Sequence, residues 1–255
     1  MDLKEGYKHT KIGVIPNDWF LITYGEIFNF LPTASYSRAE LKQKGYSFYI
    51  HYGDIHTEWN HFLDFDKQES ELKKISQHQS RGYSLLKDGD LIIADASEDY
   101  EGVGKSIEIK NIGSKIVIAG LHTYLLRSKV NYIANVFKGY IHSNMLVKKQ
   151  LNMFATGLKV YGITKTNIKK ILIPIPPTID EQSDIANTLS DVDELIQSLS
   201  SLIVKKQDIK KGTTQTLLNP YENGKLKDGW VIKKLGDFLK YEQPTKYLVS
   251  STEYK

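Results

Sequence analysis

The chain has 255 residues, 40% of them apolar and 25% charged, with a formal net charge of +4 and no cysteine. Those proportions are ordinary for a globular chain. Zero cysteine excludes disulfides, thiolate metal sites and cysteine nucleophiles together, which suits a cytoplasmic protein. No apolar run approaches the ~18 residues of a membrane span, and MDLKEGYKHTK has no apolar core of a signal peptide behind its charges.

Residues 1–177 read as one mixed α/β domain. The segments YSFYIHY (46–52), DLIIAD (90–95), KSIEIK (105–110), KIVIAG (115–120), HTYLLRS (122–128) and KKILIPI (169–175) have the β-branched and aromatic content of strands. Ile133, Val136, Phe137, Tyr140, Ile141, Val147 and Leu151 recur at helical spacing and predict one helix over 132–154. Three polar loops, 76–83, 95–105 and 156–165, are the natural places for ligand-reading side chains.

Charge is distributed unevenly along this domain. Residues 1–108 carry 12 Lys/Arg against 18 Asp/Glu, whereas residues 109–179 carry 11 Lys/Arg and no carboxylate. A stretch dense in cations and free of counter-charge attracts a polyanion, and nucleic acid is the favoured partner. The plainer reading is a lysine-rich solvated surface.

Pro174, Pro176 and Pro177 end the apolar run ILIPIPP. Thr178 and Glu181 then form a T-x-x-E capping box, Asp180, Glu181 and Asp184 favour the N-terminal end of a helix dipole, and Asn219-Pro220 stops the element. Between these signals Ile185, Leu189, Val192, Ile196, Leu199 and Ile203 alternate spacings of four and three. That is the a/d seam of a coiled coil, with Leu195, Leu202 and Ile209 as a second line beside it. A rod of ~58 Å, at ~1.5 Å per residue, is too long to bury its stripe on a domain of this size and calls for another long helix. Gly212 and the threonines after it predict fraying of the last turns.

Residues 220–255 open as residues 15–30 do. IPNDWFLITYGEIFNF and LKDGWVIKKLGDFLKY share Trp19/Trp230 and Gly25/Gly236 at an offset of 211, with Glu26 answered by Asp237. The chain reads as one domain (1–177), one long helix (178–219) and the start of a second copy of the domain (220–255). The fold class is α+β: a mixed α/β domain followed by a long coiled-coil-forming α-helix.

Catalytic motifs fail on inspection. Gly104-Lys105-Ser106 resembles the end of a phosphate loop, but Asp99 stands where its first glycine belongs. Asn219-Pro220-Tyr221 lacks one residue of the adenine methyltransferase tetrapeptide. His51, His56 and His61 are five apart, which converges on no metal in a strand or a helix. No catalytic residue, metal site or cofactor is expected.

The junction GLKVYGITKTNIKKILIPIPPTIDEQSDIANTLSDVDELI (157–196) resembles that of the specificity subunits of type I restriction–modification systems. The pattern I-x-I-P-x-P-P-x-x-x-E-Q-x-x-I-A carries the likeness through Ile171, Ile173, Pro174, Pro176, Pro177, Glu181, Gln182, Ile185 and Ala186. Residues 6–19, 85–106 and 118–127 also resemble that family. The resemblance implies a non-catalytic subunit with two DNA target recognition domains and two antiparallel helices. Each domain reads half of a split sequence in the major groove of double-stranded DNA, and the helices set the spacing. Methyltransferase subunits dock on the helices, and a restriction subunit adds translocation and cleavage.

This chain holds one full half, so self-association through 178–218 is expected to rebuild a pair. The other possibility is that its missing half pairs in cis. Arg81, Lys105, His122, Lys159 and Lys165 are the expected contacts to phosphates or guanine edges, and Tyr83, Tyr161 and Thr164 to sugars, phosphates or thymine methyls. Lys148, Lys149, Lys169 and Lys170 are expected to be solvated or remote phosphate contacts. Glu181 and Gln182 cap the helix or meet the methyltransferase. Two other classes stay open: a free-standing DNA-binding regulator, and a coiled-coil scaffold whose basic stretch is incidental.

Overall fold

The structure, a computed structural model, describes residues 5–68, 72–129 and 132–241. The chain divides into two compact units, residues 1–193 and 194–255.

The first unit begins with the hairpin β1 (Tyr7–Thr10) and β2 (Gly13–Pro16), then β3 (Phe20–Thr23), the single-turn helix α1 (Tyr24–Ile27) and β4 (Phe28–Leu31). Next come β5 (Ser47–Ile50), α2 (Tyr52–Thr57), β6 (Phe62–Asp64), α3 (Phe65–Gln68), β7 (Lys74–Ile75) and α4 (Gln77–Ser80). The middle is strand-rich, with β8 (Leu91–Ala94), β9 (Ala96–Ser97), β10 (Ser106–Lys110), β11 (Val117–Ala119) and β12 (Thr123–Ser128). The unit ends with α5 (Phe137–Tyr140), α6 (Met145–Phe154), β13 (Tyr161–Gly162), α7 (Lys165–Lys170), β14 (Leu172–Ile175) and the first turns of α8 (Ile179–Leu218).

A five-stranded sheet ordered β4-β12-β8-β10-β6 divides the core. Strand side chains alternate between faces. Leu91 and Ile93 of β8 therefore join Leu126, Val147, Leu151, Ile168 and Ile173 on one face, while Ile92 and Ala94 join Ile107, Ile109 and Leu125 on the other. Burial on both faces explains why β8 reads LIIA, without a polar residue. A second sheet, β11-β5-β7, packs Tyr49, Ile75 and Ile118 into a smaller third cluster.

The six strands expected in the first domain all form, but that expected over 169–175 begins only at Leu172, because Lys169 and Lys170 end helix α7. The single helix expected over 132–154 does not form. It breaks into α5, a 3-10 turn at Ile141–Ser143, and α6. Asn144 restarts the helix as an N-cap, its side chain accepting from the Leu146 N–H at 2.9 Å. Glu108 shapes the preceding segment. Fully buried in β10, it accepts from the backbone N–H groups of Val136 and Gly139, both at 2.9 Å, with the Lys138 ammonium 3.6 Å away. Burial pushes its carboxyl up and the Lys138 ammonium down, each opposing the other's shift.

The capping box at 178–181 is half made. The Thr178 hydroxyl accepts from the Glu181 N–H at 3.1 Å, but the Glu181 carboxylate turns away to the Trp19 indole. Gln182 is 1% exposed and faces the domain. Its oxygen accepts from the Ala134 N–H at 2.9 Å, and its amide donates to Tyr132 O and Pro176 O at 3.0 and 3.1 Å. The helix then runs unbroken for 40 residues, about 60 Å, to Leu218. The fraying expected after Gly212 is not seen. Among the described residues no helix is long and apolar enough to cross a membrane.

In the second unit, β15 (Tyr221–Glu222) and β16 (Lys225–Leu226) form a hairpin turned by Asn223 and Gly224, both at positive φ. Two backbone features repeat at the offset seen in the sequence. Trp19 N donates to Pro16 O at 3.2 Å, and Trp230 N donates to Lys227 O at 3.1 Å. Thr23 N donates to the Glu26 carboxylate at 2.8 Å, and Lys234 N donates to that of Asp237 at 3.2 Å. Residues 242–255 of the expected second copy lie outside the described residues.

Candidate nucleic-acid interface

Asp95, which follows β8, is the point where three loops meet. Its N–H donates to His122 O at 3.0 Å, and its carbonyl accepts from Ile163 N at 2.9 Å. Beside it β9 pairs antiparallel with β13, setting Ser97 opposite Tyr161 and Ala96 opposite Gly162. The loops 95–105, 120–123 and 156–165 are thereby fastened edge to edge.

On one side of Asp95 lies His122, at φ +54°, a conformation that costs a side-chain-bearing residue about 1–2 kcal/mol. Its Nδ1 is 3.0 Å from Asp95 Oδ1, and its ring sits edge-on to Tyr52 at 5.3 Å. Burial pushes the Asp95 carboxyl up, against the pull of His122. Tyr52 also meets His56 edge-on, and His56 Nε2 donates to Ala96 O at 2.9 Å. Lys105 joins this group by donating to His56 O at 3.0 Å, and burial lowers its ammonium pKa. A cavity of about 230 Å³ opens beside Lys105, lined also by His61, Ser106, Ser143 and Lys148.

On the other side, Gly157 to Val160 make a tight turn. Gly157 has φ +143°, and a Cβ there would lie 1.9 Å from Val160 O, so only glycine closes the turn. Its tip holds Leu158, 96% exposed, and the exposed Lys159. The Tyr161 ring sits edge-on to Tyr100 at 5.4 Å. Thr164 caps α7 by accepting from Asn167 N at 3.3 Å. Lys165 and Lys169 stand over the Phe30 ring at 5.3 and 5.4 Å.

Six of the expected contacts, Lys105, His122, Lys159, Tyr161, Thr164 and Lys165, thus lie on loops joined at Asp95. Arg81 and Tyr83 lie apart, around a cavity of about 290 Å³ with Tyr46, Gln77 and Leu85. Tyr83 meets Tyr36 edge-on at 6.4 Å. The link between the two groups is Tyr49, whose hydroxyl accepts from Leu121 N and donates to Tyr36 O. Sequence reasoning missed Asp95, Tyr52 and Tyr100, whose contacts come from segments far along the chain.

The acid-free stretch is less uniform than its composition. Arg127 is spent on Asp90, with Nε to Oδ1 at 2.8 Å and Nη2 to Oδ2 at 2.6 Å. Lys138 is paired with Glu108, and Lys129 donates to Gly25 O at 2.6 Å. Lys148, expected to be solvated or a remote phosphate contact, is half-buried against the carbonyls of Glu101 and Val103. Lys149, Lys159, Lys165, Lys169 and Lys170 are the exposed cations of α6, its following loop and α7.

On α8 the seam divides. Ile185 packs against the domain core, while Leu189, Val192, Ile196, Leu199 and Ile203 are between 39% and 57% exposed. Leu195, Leu202 and Ile209 are also exposed.

Comparison with known proteins identifies a family. The family described as the type I restriction modification DNA specificity domain matches residues 16–212. A protein of Methanocaldococcus jannaschii described as a type I restriction enzyme MjaX specificity subunit is 26% identical over 248 residues, covering 92% of this chain and 56% of that protein. Two solved structures share the fold. The type I restriction–modification S subunit from M. genitalium has a TM-score of 0.51 at 15% identity, over 86% of this chain and 48% of that one. The HsdS subunit from Thermoanaerobacter tengcongensis has a TM-score of 0.52 at 17% identity, over 84% and 47%. The chain spans about half the length of the relatives it matches. With more than half of its residues matched by one family, the chain belongs to the type I restriction–modification DNA specificity family.

Proposed function

We propose that this chain is a non-catalytic DNA-reading subunit that recognises one half of a bipartite target for a type I restriction–modification complex. The observation that carries the proposal is the junction of three loops at Asp95, which gathers Lys105, His122, Lys159, Tyr161, Thr164 and Lys165 on loops fastened together by the β9–β13 pairing. Phosphate contacts from the lysines set register, and Tyr161 and His122 face base edges or sugars. Arg81 and Tyr83 form an outlying contact. Residues 1–177 are the recognition domain, 178–219 the spacer and docking helix, and 220–255 the start of a second recognition domain. Methyltransferase subunits and a restriction subunit supply the chemistry.

The exposed seam of α8 pairs with a second copy of this chain. A two-fold pair reads an inverted repeat whose half-sites are set by the helix length. About 60 Å of helix corresponds to roughly 18 base pairs at about 3.4 Å each.

Methylation mapping of the host genome with and without the gene tests the reading. The expected result is a split motif methylated only when the gene is present. An unchanged methylation map overturns it.

A further inference from the structure

We propose that Asp95 is a positioning residue that fixes the proton of His122 on Nδ1, so that His122 presents a bare Nε2 to the DNA and selects a base bearing an amino group. This rests on the DNA-reading function proposed above.

The geometry is specific. With the Asp95 carboxyl ionised it has no proton to give, and the ring nitrogen then donates in the 3.0 Å contact between His122 Nδ1 and Asp95 Oδ1; the proposal is for the neutral ring. A neutral imidazole with its proton on Nδ1 carries its lone pair on Nε2. Among the described residues Nε2 meets no hydrogen-bond partner, and the side chain is 51% exposed. Tyr52 packs edge-on against the ring. The backbone is held as well. His122 O accepts from Asp95 N at 3.0 Å, the Thr123 hydroxyl donates to Gly120 O at 2.6 Å, and a Cβ on Gly120 would strike the Tyr49 ring at 2.3 Å. These contacts keep a non-glycine residue at φ +54°, the kind of strain that persists where a side chain must be aimed.

In the major groove the donors on base edges are the amino groups of adenine and cytosine, whereas guanine and thymine present acceptors to the same position. An Nε2 acceptor therefore favours adenine or cytosine. A charged or Nε2-protonated ring would instead bind a phosphate or a guanine edge.

The test uses the full chain. Nitrogen-15 spectra of the His122 ring near neutral pH should show the Nδ1–H tautomer; the Nε2–H tautomer or a doubly protonated ring overturns the proposal. The chain, Asp95→Asn and His122→Ala are then each used to select from a pool of duplexes with randomised sequence. An asparagine amide at 95 donates to Nδ1 and moves the ring proton to Nε2. The preference at one position should then pass from adenine or cytosine to guanine or thymine by about ten-fold, with other positions unchanged. His122→Ala should lose the preference at that same position alone.

If His122→Ala weakens all sequences equally, His122 is a phosphate contact and the proposal fails. The proposal also fails if Asp95→Asn selects the same base although its tautomer has moved. Should Asp95→Asn not fold, the tautomer of the unaltered chain and the His122→Ala profile decide. A parent chain that selects no sequence at all overturns the DNA-reading function itself, a result distinct from the other failures.

Discussion

Trp19 and Glu181 are 162 residues apart, yet the Trp19 indole N–H donates to the Glu181 carboxylate at 3.0 Å. The bond ties the loop before β3 to the first turn of α8. One residue on, Gln182 ties the same turn to Ala134, Tyr132 and Pro176. The Glu-Gln pair after the prolines is therefore a clasp between helix and domain, and its two members differ in burial. Gln182→Ala leaves the Ala134 N–H and the Pro176 carbonyl without partners in a buried site and frees the part-buried Tyr132 carbonyl, a loss of about 2–4 kcal/mol. The Trp19–Glu181 bond is partly solvated, so a double-mutant cycle with Trp19→Phe and Glu181→Gln should give a coupling of about 1 kcal/mol. Urea denaturation of each variant measures both. A Gln182→Ala cost no larger than the coupling would show that the buried clasp does not hold the helix.

The exposed seam gives a second prediction. Ile196 and Leu199 lie beyond the turns that pack on the domain and are 56% and 50% exposed. Replacing both by Lys should leave the folding of residues 1–193 nearly unchanged, because surface substitutions away from packed features cost within about 0.5 kcal/mol. The same change places charges at a and d positions, where a coiled coil buries its knobs. Light scattering across micromolar concentrations should show a dimer for the parent chain and a monomer for the variant. A monomeric parent chain would remove the pairing proposal.

The elements with a periodic or punctuated pattern were legible in the sequence: the six β-rich runs, the proline stop before the helix and the heptad seam. At the offset of the proposed repeat, matching bonds recur at Trp19/Trp230 and Glu26/Asp237. What escaped was whatever depends on a partner far along the chain. The apolar spacing over 132–154 fits a helix, but Glu108 captures the N–H groups of Val136 and Gly139 and sets that segment differently. Glu181 fits a capping box, but an indole from the N-terminal segment takes its carboxylate. The candidate site followed the same rule. Loop lysines could be named from charge, whereas Asp95 gains its role from the chance that three loops close on one residue. Arg127, Lys129 and Lys138 look like free cations in composition and are tied down in the fold.

The turn at Gly157 offers a third prediction. Alanine there must accommodate both φ +143° and a Cβ 1.9 Å from Val160 O, so the turn must open. DNA affinity should drop at least ten-fold in Gly157→Ala if the turn aims Lys159 at the duplex. Lys159→Ala and Lys165→Ala should each reduce the salt slope of binding by about one ion, without changing sequence preference. Fluorescence titration at several salt concentrations measures the slopes. Unchanged slopes in both lysine variants would place the loop outside the interface.

His142 supplies a prediction about acid. Its Nδ1 donates to Gly104 O, and its Nε2 accepts from the hydroxyl of the fully buried Tyr24, so both nitrogens are used with the ring neutral. Desolvation holds its pKa down at about 4, from an ordinary 6.5. The unfolded chain therefore takes up a proton near pH 6.5 that the folded chain refuses until about pH 4. Between those values the unfolded state binds more protons, so stability falls as pH falls. The contribution is fully present above pH 6.5 and is lost by about pH 4, at most about 3 kcal/mol at 1.36 kcal/mol per unit. His51 and His61, also held down by burial, act in the same direction. Glu108 and Asp95, pushed up by burial, act in the opposite direction, gaining stability as pH falls. Comparison with His142→Gln cancels these common contributions. The stability difference between parent and variant, from urea denaturation at steps between pH 7 and pH 4, should shrink as the solution becomes more acidic. A difference that stays constant over that range would show that the His142 ring is not held neutral by the fold.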